Sequence, residues 1–219
     1  ATYESAALVL GIADYVREFL ADLRLRRFEV MSETGLPVQP PRVVRSAPSA
    51  FTPGRPLRLL FVGRLIRTKG VRDLVAAMGL LRGRPVTLDV VGDGFDAAAC
   101  TALAEDLQVT DAITFHGWLP HEAVLRSYAD ADVFAFPSYR EPGGNVVFEA
   151  MGQALPLIVC GRGGPGAAVD DSCAIRIPAT SPEQLASAIA GAVSRFLDEP
   201  ALVARLGNAA PRRLAEVGL

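Results

Sequence analysis

Two carboxylates stand eight positions apart in the stretch SYREPGGNVVFEAM, one on each side of a pair of glycines. The acids are Glu141 and Glu149, and the apolar run after the glycines predicts a helix that begins near Asn145. The first N–H groups of a helix have no partner inside it, and they bind anions when no side chain covers them. Gly143 and Gly144 remove such cover, so this turn is typical of a site for a phosphate group.

The predicted helix offers further chemistry beside this anion site. A diphosphate could lie on the backbone of Val146 and Val147, and the two oxygens of Glu149 suit the vicinal hydroxyls of a ribose. Glu141, at the end of the preceding strand, would then face the group that the diphosphate carries. The local sequence also allows a structural interpretation, in which Asn145 caps the helix and Glu149 complements its dipole.

A second stretch, GRLIRTKG, begins at Gly63 and supplies two cations, Arg64 and Lys69. An arginine offers a planar fork for two phosphate oxygens, and a lysine offers a mobile point charge. Both residues follow a predicted strand and can reach the anion site. The alternative is that they are surface cations without a ligand.

Short apolar runs, rich in β-branched and aromatic residues, recur from residue 58 onward and alternate with helical periodicity. This alternation predicts an α/β fold with a doubly wound, Rossmann-like parallel sheet. The predicted strands lie in RLLFVGRL, VTLDVVGDG, AITFHG, DVFAFPS and PLIVC. Ligands of such sheets bind beyond the carboxyl ends of the strands, so we expect the two stretches described above to meet there.

Composition excludes several other classes of protein. Half of the 219 residues are hydrophobic, which suffices for a buried core, and a net charge of −2 argues against binding long nucleic acid through a basic face. The three cysteines lack the spacing of a disulfide framework or a zinc site. No run approaches the roughly 18 apolar residues of a membrane span. We expect a globular protein of a reducing compartment, the cytoplasm.

The stretch VVGDGFDAA matches the Gly-x-Gly-x-x-Ala fingerprint of dinucleotide-binding proteins. It follows the second strand of the predicted sheet instead of the first, and the next strand ends in His116 where an acid is needed. Neither His116 nor His121 has the neighbours of a catalytic triad. A nicotinamide or flavin enzyme is therefore the weaker interpretation.

Residues 1–57 differ in character from the rest of the chain. They contain two strand-like segments and one helix-like segment, followed by a proline-rich stretch without apolar periodicity. Such a fragment cannot bury both of its faces alone. We expect residues 1–57 to be the tail of a truncated preceding domain with its linker, and residues 58–219 to form the ligand-binding domain.

Several motifs occur in order along residues 58–210: FVGRL with a later KG, VVGDG, FHGWLP, ADVFAFPS, and the two acids running into EAMGQALPLIV. The set resembles the C-terminal, nucleotide-sugar-binding half of GT-B-fold retaining glycosyltransferases, specifically glycosyltransferase family 4. The resemblance implies an enzyme that moves a sugar from a nucleotide-diphosphate sugar to an acceptor hydroxyl with retention, in polysaccharide or glycoconjugate biosynthesis.

The resemblance also implies a role for each candidate residue. Arg64 and Lys69 would hold the diphosphate and stabilise the leaving group, and Glu141 would contact the transferred sugar near its reacting carbon. Glu149 would bind the ribose. The rest of the donor-binding set is Gly63, Gly143, Gly144, Asn145, Val146 and Val147.

This mechanism requires neither a metal nor a cofactor, and Asp130 and Asp132 precede their strand instead of ending it. The family commonly has an aromatic residue in place of Gly143 and a glycine in place of Ala154. These departures leave the donor open among UDP-, GDP- and ADP-sugars.

The preceding domain of the family supplies the acceptor site, so the acceptor sugar, lipid or other hydroxyl would be met there. A membrane-peripheral location of the full-length protein stays open for the same reason. We expect the present chain alone to bind donor without transferring sugar. A related GT-B epimerase or phosphorylase, and a non-catalytic nucleotide-sugar-binding module, remain as alternatives.

Overall fold

The computed structural model describes residues 2–11, 16–30 and 44–217. The strands are β1 (Val9–Gly11), β2 (Phe28–Val30), β3 (Leu57–Val62), β4 (Val86–Val91), β5 (Ile113–Gly117), β6 (Val133–Phe136), β7 (Leu157–Cys160) and β8 (Ala174–Ile177). The helices are α1 (Thr2–Ser5), α2 (Val16–Phe19), α3 (Val71–Leu80), α4 (Ala97–Asp106), α5 (His121–Asp130), α6 (Asn145–Gly152), α7 (Gly163–Ala168), α8 (Pro182–Asp198) and α9 (Ala201–Val217). Short 3-10 turns occupy Arg67–Lys69 and Thr110–Ala112.

A parallel six-stranded sheet, in the order β5-β4-β3-β6-β7-β8, forms the centre of the protein. The chain winds outward from β3 to one edge and then from β6 to the other, which is the doubly wound order. The α/β prediction is confirmed, and all five predicted strands are present. The strand β8 was not predicted, because Arg176 interrupts its short apolar run.

The two central strands are buried on both faces, as their uninterrupted apolar sequence requires. Their aromatic rings stack: Phe136 lies 5.8 Å from Phe61 and 6.0 Å from Phe134 between ring centroids. Helices flank the sheet, with α3 packed against α4 and α8, and α6 packed against α9. The rigid centre of the sheet therefore carries the loops that follow β3 and β6.

The strands β1 and β2 form a separate parallel pair in which Val9 lies opposite Phe28. Leu8, Leu10 and Val30 on this pair are exposed, so its apolar surface is only partly covered. Two parallel strands alone are marginally stable. That residues 1–57 are the tail of another domain stays a prediction.

The segment 44–56 packs against the sheet, although no apolar periodicity predicted this. Phe51 belongs to the hydrophobic core, and Arg55 donates two hydrogen bonds to Asp132, at 2.7 and 2.8 Å. The earlier part of the predicted linker, residues 31–43, lies outside the described residues. The docked segment thus leads the chain directly into β3.

Candidate functional site

A cleft of about 280 Å³ opens at the carboxyl ends of β3 and β6. These strands are neighbours, with Leu59 paired to Val133, and the winding of the sheet reverses between them. Ligands of doubly wound sheets bind at this reversal. The cleft is lined by Gly63, Arg64, Lys69, Phe136, Glu141, Pro142, Gly143, Gly144, Asn145 and Val146. Of the predicted site residues, only Val147 and Glu149 do not line it.

The helix α6 begins at Asn145, as predicted, and points its first turn at the cleft. Its N-cap is Gly144, at φ +92°, and no side chain caps it. The structural interpretation with Asn145 as the cap is therefore wrong. Among the described residues, no acceptor is recorded for the N–H groups of Asn145 and Val146, whereas the N–H of Val147 donates to the Gly144 carbonyl at 2.8 Å. The two N–H groups at the start of α6 without an acceptor in the described part of the chain are therefore those of Asn145 and Val146, one residue earlier than the predicted pair Val146 and Val147.

The glycine-rich turn after β7 packs against the loop that carries Glu141. The Gly164 N–H donates to the Glu141 carbonyl at 2.9 Å, and a Cβ on Gly163 would stand 2.6 Å from the same oxygen. A Cβ on Gly164 would overlap the carbonyl oxygen of Pro142 and stand 2.5 Å from that of Gly143. Because Gly163 and Gly164 have no side chains, the backbone of this turn can contact the backbone of residues 141–143 directly. These glycines hold the loop that carries Glu141 in place.

Lys69 and Glu141 form an ion pair inside the cleft, with side chains only 15% and 11% exposed. The Lys69 ammonium also lies 5.4 Å from the ring centroid of Phe136. Burial, followed by the positive charge of Arg64, lowers the pKa of Lys69. The sequence placed both residues at one edge of the sheet, but it did not predict that they would bond to each other. Phe136 was not predicted as a site residue, although the last residue of a strand beside the reversal is the position where one is expected.

The other arginine of the loop after β3, Arg67, has a structural partner. Its guanidinium donates to both oxygens of the buried Asp73, at 2.5 and 3.2 Å, and lies 5.9 Å from the ring of Tyr139. Arg64, in contrast, is exposed and lines the cleft. The loop therefore directs one arginine into the fold and the other toward the site.

Glu149 lies three residues after Val146, on the same face of α6. One of its oxygens accepts a hydrogen bond from the hydroxyl of the fully buried Tyr128 at 2.9 Å. Burial, followed by the charge of Glu149, raises the pKa of Tyr128, so the hydroxyl stays protonated and donates. Tyr128 orients the carboxylate, and it was not predicted from the sequence because it belongs to a different helix.

The glycines of VVGDG serve the packing of two loops. A Cβ on Gly92, at φ +130°, would overlap the Gly63 carbonyl oxygen, and a Cβ on Gly94 would overlap the carbonyl oxygen of Leu65. Bare backbone is thus required here because the loops after β3 and β4 touch. This explains the partial match to a dinucleotide fingerprint without a dinucleotide.

Ala154, where the resembling family commonly has glycine, lies outside the cleft. It is fully buried after the end of α6 and adopts φ +55°, a conformation that glycine takes at little cost. The departure therefore lies at the end of α6, away from the residues that line the cleft.

Over the described ranges, no three His, Cys, Asp or Glu side chains are grouped as they would be to hold a metal ion. Within the same ranges, no helix is long and apolar enough to cross a membrane.

Comparison with known proteins agrees with this geometry. Residues 56–195 match the family model described as glycosyl transferases group 1. The chain is 37% identical over 166 residues to glycogen synthase of Mycobacterium tuberculosis, a match that covers 73% of this chain and 38% of that protein. The chain thus spans less than half of the length of this relative.

Solved structures have the same fold. Sucrose-phosphate synthase of Thermosynechococcus elongatus superposes with a TM-score of 0.80 at 26% identity, over 98% of this chain and 55% of that one. The Anabaena protein HepE in complex with UDP superposes with a TM-score of 0.71 at 20% identity, over 95% of this chain and 60% of that one. The reversal of the sheet, the cleft beside it and the match over residues 56–195 lead to one conclusion: the chain belongs to the group 1 glycosyl transferases, of the GT-B type.

Proposed function

We propose that residues 58–219 bind the nucleotide-sugar donor of a glycosyltransferase that transfers the sugar to an acceptor hydroxyl with retention of configuration. The observation that carries this proposal is the single cleft that joins Arg64, Lys69, the start of α6 and Glu141. A diphosphate needs cations and bare N–H groups, and the sugar needs an acceptor of hydrogen bonds beside them. The cleft offers both within about 280 Å³.

The charges of the cleft favour departure of the nucleoside diphosphate from the sugar. Two cations and one carboxylate line the cleft, and the amino-terminal end of a helix adds roughly half a positive charge. Negative charge develops on the diphosphate as the bond to the sugar breaks, and groups already in place stabilise it without reorganisation. Arg64, Lys69 and the N–H groups of Asn145 and Val146 supply this stabilisation in the proposed mechanism, without a metal ion or a cofactor.

The ion pair between Lys69 and Glu141 gives the two residues a joint role. A diphosphate that binds Lys69 competes with Glu141 for the ammonium, and the freed carboxylate can then accept hydrogen bonds from the sugar hydroxyls. Donor binding would thereby release Glu141 for its role at the transferred sugar. Glu149, oriented by Tyr128, would bind the ribose hydroxyls on the other side.

The acceptor side of the reaction is proposed to come from a preceding domain, of which residues 1–57 are the tail. The partly covered β1–β2 pair and the greater length of the relatives support this division. Because the acceptor must be oriented for attack, and orientation contributes about 7 to 11 kcal/mol, the present chain should bind donor and transfer no sugar.

Calorimetric titration of the 219-residue chain tests the proposal, with UDP, GDP and ADP compared against the matching nucleosides. We expect Arg64→Ala and Lys69→Ala each to weaken binding of the preferred nucleoside diphosphate by about 10- to 100-fold, since each removes a charge-assisted bond. Binding of the nucleoside itself should hardly change. Arg84→Ala is the matched control, because Arg84 precedes β4, at the amino ends of the strands and away from the cleft, and pairs with Asp198.

Two outcomes would contradict the proposal. One is the absence of binding for all three diphosphates. The other is an equal loss for nucleoside and diphosphate in both variants, which would indicate general disruption of the fold. Sugar transfer by the 219-residue chain itself would contradict only the division between donor and acceptor domains.

A further inference from the structure

One arginine of the docked segment 44–56 joins the ends of two helices. The Arg45 guanidinium donates to the carbonyl oxygens of Tyr128 at 2.9 Å, Ala131 at 2.5 Å and Gln153 at 3.2 Å. The first two stand at the carboxyl-terminal end of α5, and Gln153 is the C-cap of α6. Helix ends leave such carbonyls without an intrahelical partner. A single side chain therefore satisfies acceptors on both helices.

The positive charge of Arg45 is matched by these helix ends. The carboxyl-terminal end of a helix carries a partial negative charge, which a nearby cation stabilises. The adjacent acid, Asp132, is held instead by Arg55 and by the N–H of Arg58 at 2.9 Å. Burial lowers the pKa of Arg45, but an arginine stays protonated in a protein. The guanidinium thus acts as a charged clamp on two helix dipoles.

The backbone of Arg45 is fixed as firmly as its side chain. Its N–H donates to Asn208 Oδ1 at 2.8 Å, and Asn208 Nδ2 donates back to its carbonyl at 2.9 Å. Asn208 lies in α9, which packs against α6. Arg45 consequently links the segment 44–56 to three helices, α5, α6 and α9.

Both clamped helices carry groups of the candidate site. Tyr128, whose carbonyl accepts from Arg45, donates its hydroxyl to Glu149. The eight residues of α6 form a rod of about 12 Å, with Arg45 at one end and the cleft at the other. A displacement at Gln153 therefore moves the N–H groups of Asn145 and Val146 as well.

We propose that Arg45 is a positioning residue of the donor site, and that its hydrogen bonds to the ends of α5 and α6 set donor affinity. Arg45 lines no part of the cleft and acts through α5 and α6. This inference rests on the proposed function, since it concerns the affinity for the nucleoside diphosphate.

The test uses the 219-residue chain with Arg45→Met, which keeps the length of the side chain and removes its hydrogen bonds. We expect the affinity for the preferred nucleoside diphosphate to fall about 2- to 30-fold, the range of indirect couplings. Amide hydrogen exchange in α6 should accelerate at the same time. Arg45→Lys keeps the charge at the helix ends and should recover part of the affinity.

Arg55→Met is the matched control, because it frees the same segment from Asp132 and leaves both helix ends clamped. It should lower the stability of the fold without changing the affinity or the exchange of α6. All affinities are compared at a temperature at which circular dichroism shows that each variant is folded.

A folded Arg45→Met variant with wild-type affinity would overturn the inference, whatever its exchange in α6, as would an equal loss of affinity in Arg55→Met. If the unmodified chain binds no nucleoside diphosphate, the proposed function fails separately. The exchange measurement then decides: faster exchange in α6 of Arg45→Met alone supports the clamp, and unchanged exchange overturns it.

Discussion

Gly164 provides the sharpest test of how the cleft is held, because it separates steric contact from backbone strain. It lies in the helix α7 with an ordinary φ, so an alanine there meets no conformational obstacle. A Cβ would nevertheless overlap the Pro142 carbonyl oxygen and stand 2.5 Å from the Gly143 carbonyl oxygen. Gly164→Ala should therefore displace the loop that carries Glu141.

The magnitude follows from the distances. Real Cβ contacts essentially never fall below 3.0 Å, so the Gly143 oxygen must move by about 0.5 Å, and the Pro142 oxygen by more. Overpacking of this kind costs about 1 to 3 kcal/mol, while a glycine-to-alanine change inside a helix gains at most about 1 kcal/mol. Gly164 does not line the cleft and acts on it through the loop, so we expect donor affinity to fall about 2- to 30-fold, the range of indirect couplings.

Gly191→Ala is the matched control. Gly191 also lies inside a helix, α8, and a Cβ there would meet nothing within 4 Å. Both variants gain the helical preference of alanine, so it cancels in their comparison. The free energy of unfolding, measured in urea, should be about 1 to 3 kcal/mol lower for Gly164→Ala than for Gly191→Ala. Only Gly164→Ala should bind the nucleoside diphosphate more weakly.

A difference in stability below about 0.5 kcal/mol, with equal affinity, would refute this reasoning. It would mean that the loop at residues 141–143 does not rest on α7. A loss of stability at unchanged affinity would show that the loop moves without disturbing the donor, and would refute the link between the glycine turn and the site.

Two further predictions concern individual charges. Burial lowers the pKa of Lys69 below its ordinary 10.5, and the proposed contact with the diphosphate needs the protonated ammonium, so the calorimetric affinity should fall as pH rises from about 7 to 10. Lys69→Arg should abolish this fall because an arginine stays protonated, and a slope that survives in the variant would contradict the assignment. Glu149→Ala should weaken ribonucleotide binding by about 1.5 to 3 kcal/mol and hardly affect binding of a 2′,3′-dideoxynucleotide. Tyr128→Phe should give a smaller loss of the same kind, because it removes the hydrogen bond that orients Glu149. Equal losses for both ligands would exclude the ribose role.

The sequence was a good guide to several features that depend on short stretches. The five apolar runs, the start of α6 at Asn145 and the meeting of Arg64, Lys69 and Glu141 at one edge of the sheet were all predicted. Each follows from periodicity or from the general rule that parallel strands end together. Predicting such features requires no knowledge of the contacts between loops.

The features that were not predicted depend on contacts between distant parts of the chain. Lys69 and Glu141 bond across 72 positions, Arg45 and Gln153 across 108, and Gly164 contacts a loop from the preceding strand. None of these leaves a local periodic signal. The bond from the Val147 N–H to Gly144 was missed for a different reason, because the first turn of a helix can close with either three- or four-residue spacing.

The pairing of β3 with β6 also bears on how this protein folds. Leu59 and Val133 meet only after a loop of more than 70 residues has closed, and such long-range pairing forms late and slowly. Arg64 and Lys69 follow one of these strands, and Glu141 and α6 follow the other. A chain that has folded only β3, β4 and β5 would hold Arg64 and Lys69 without Glu141 and α6, so it would lack part of the cleft. A nucleotide bound in this cleft would thus stabilise only chains in which β3 and β6 have paired, and its affinity would add to the stability of this long-range contact.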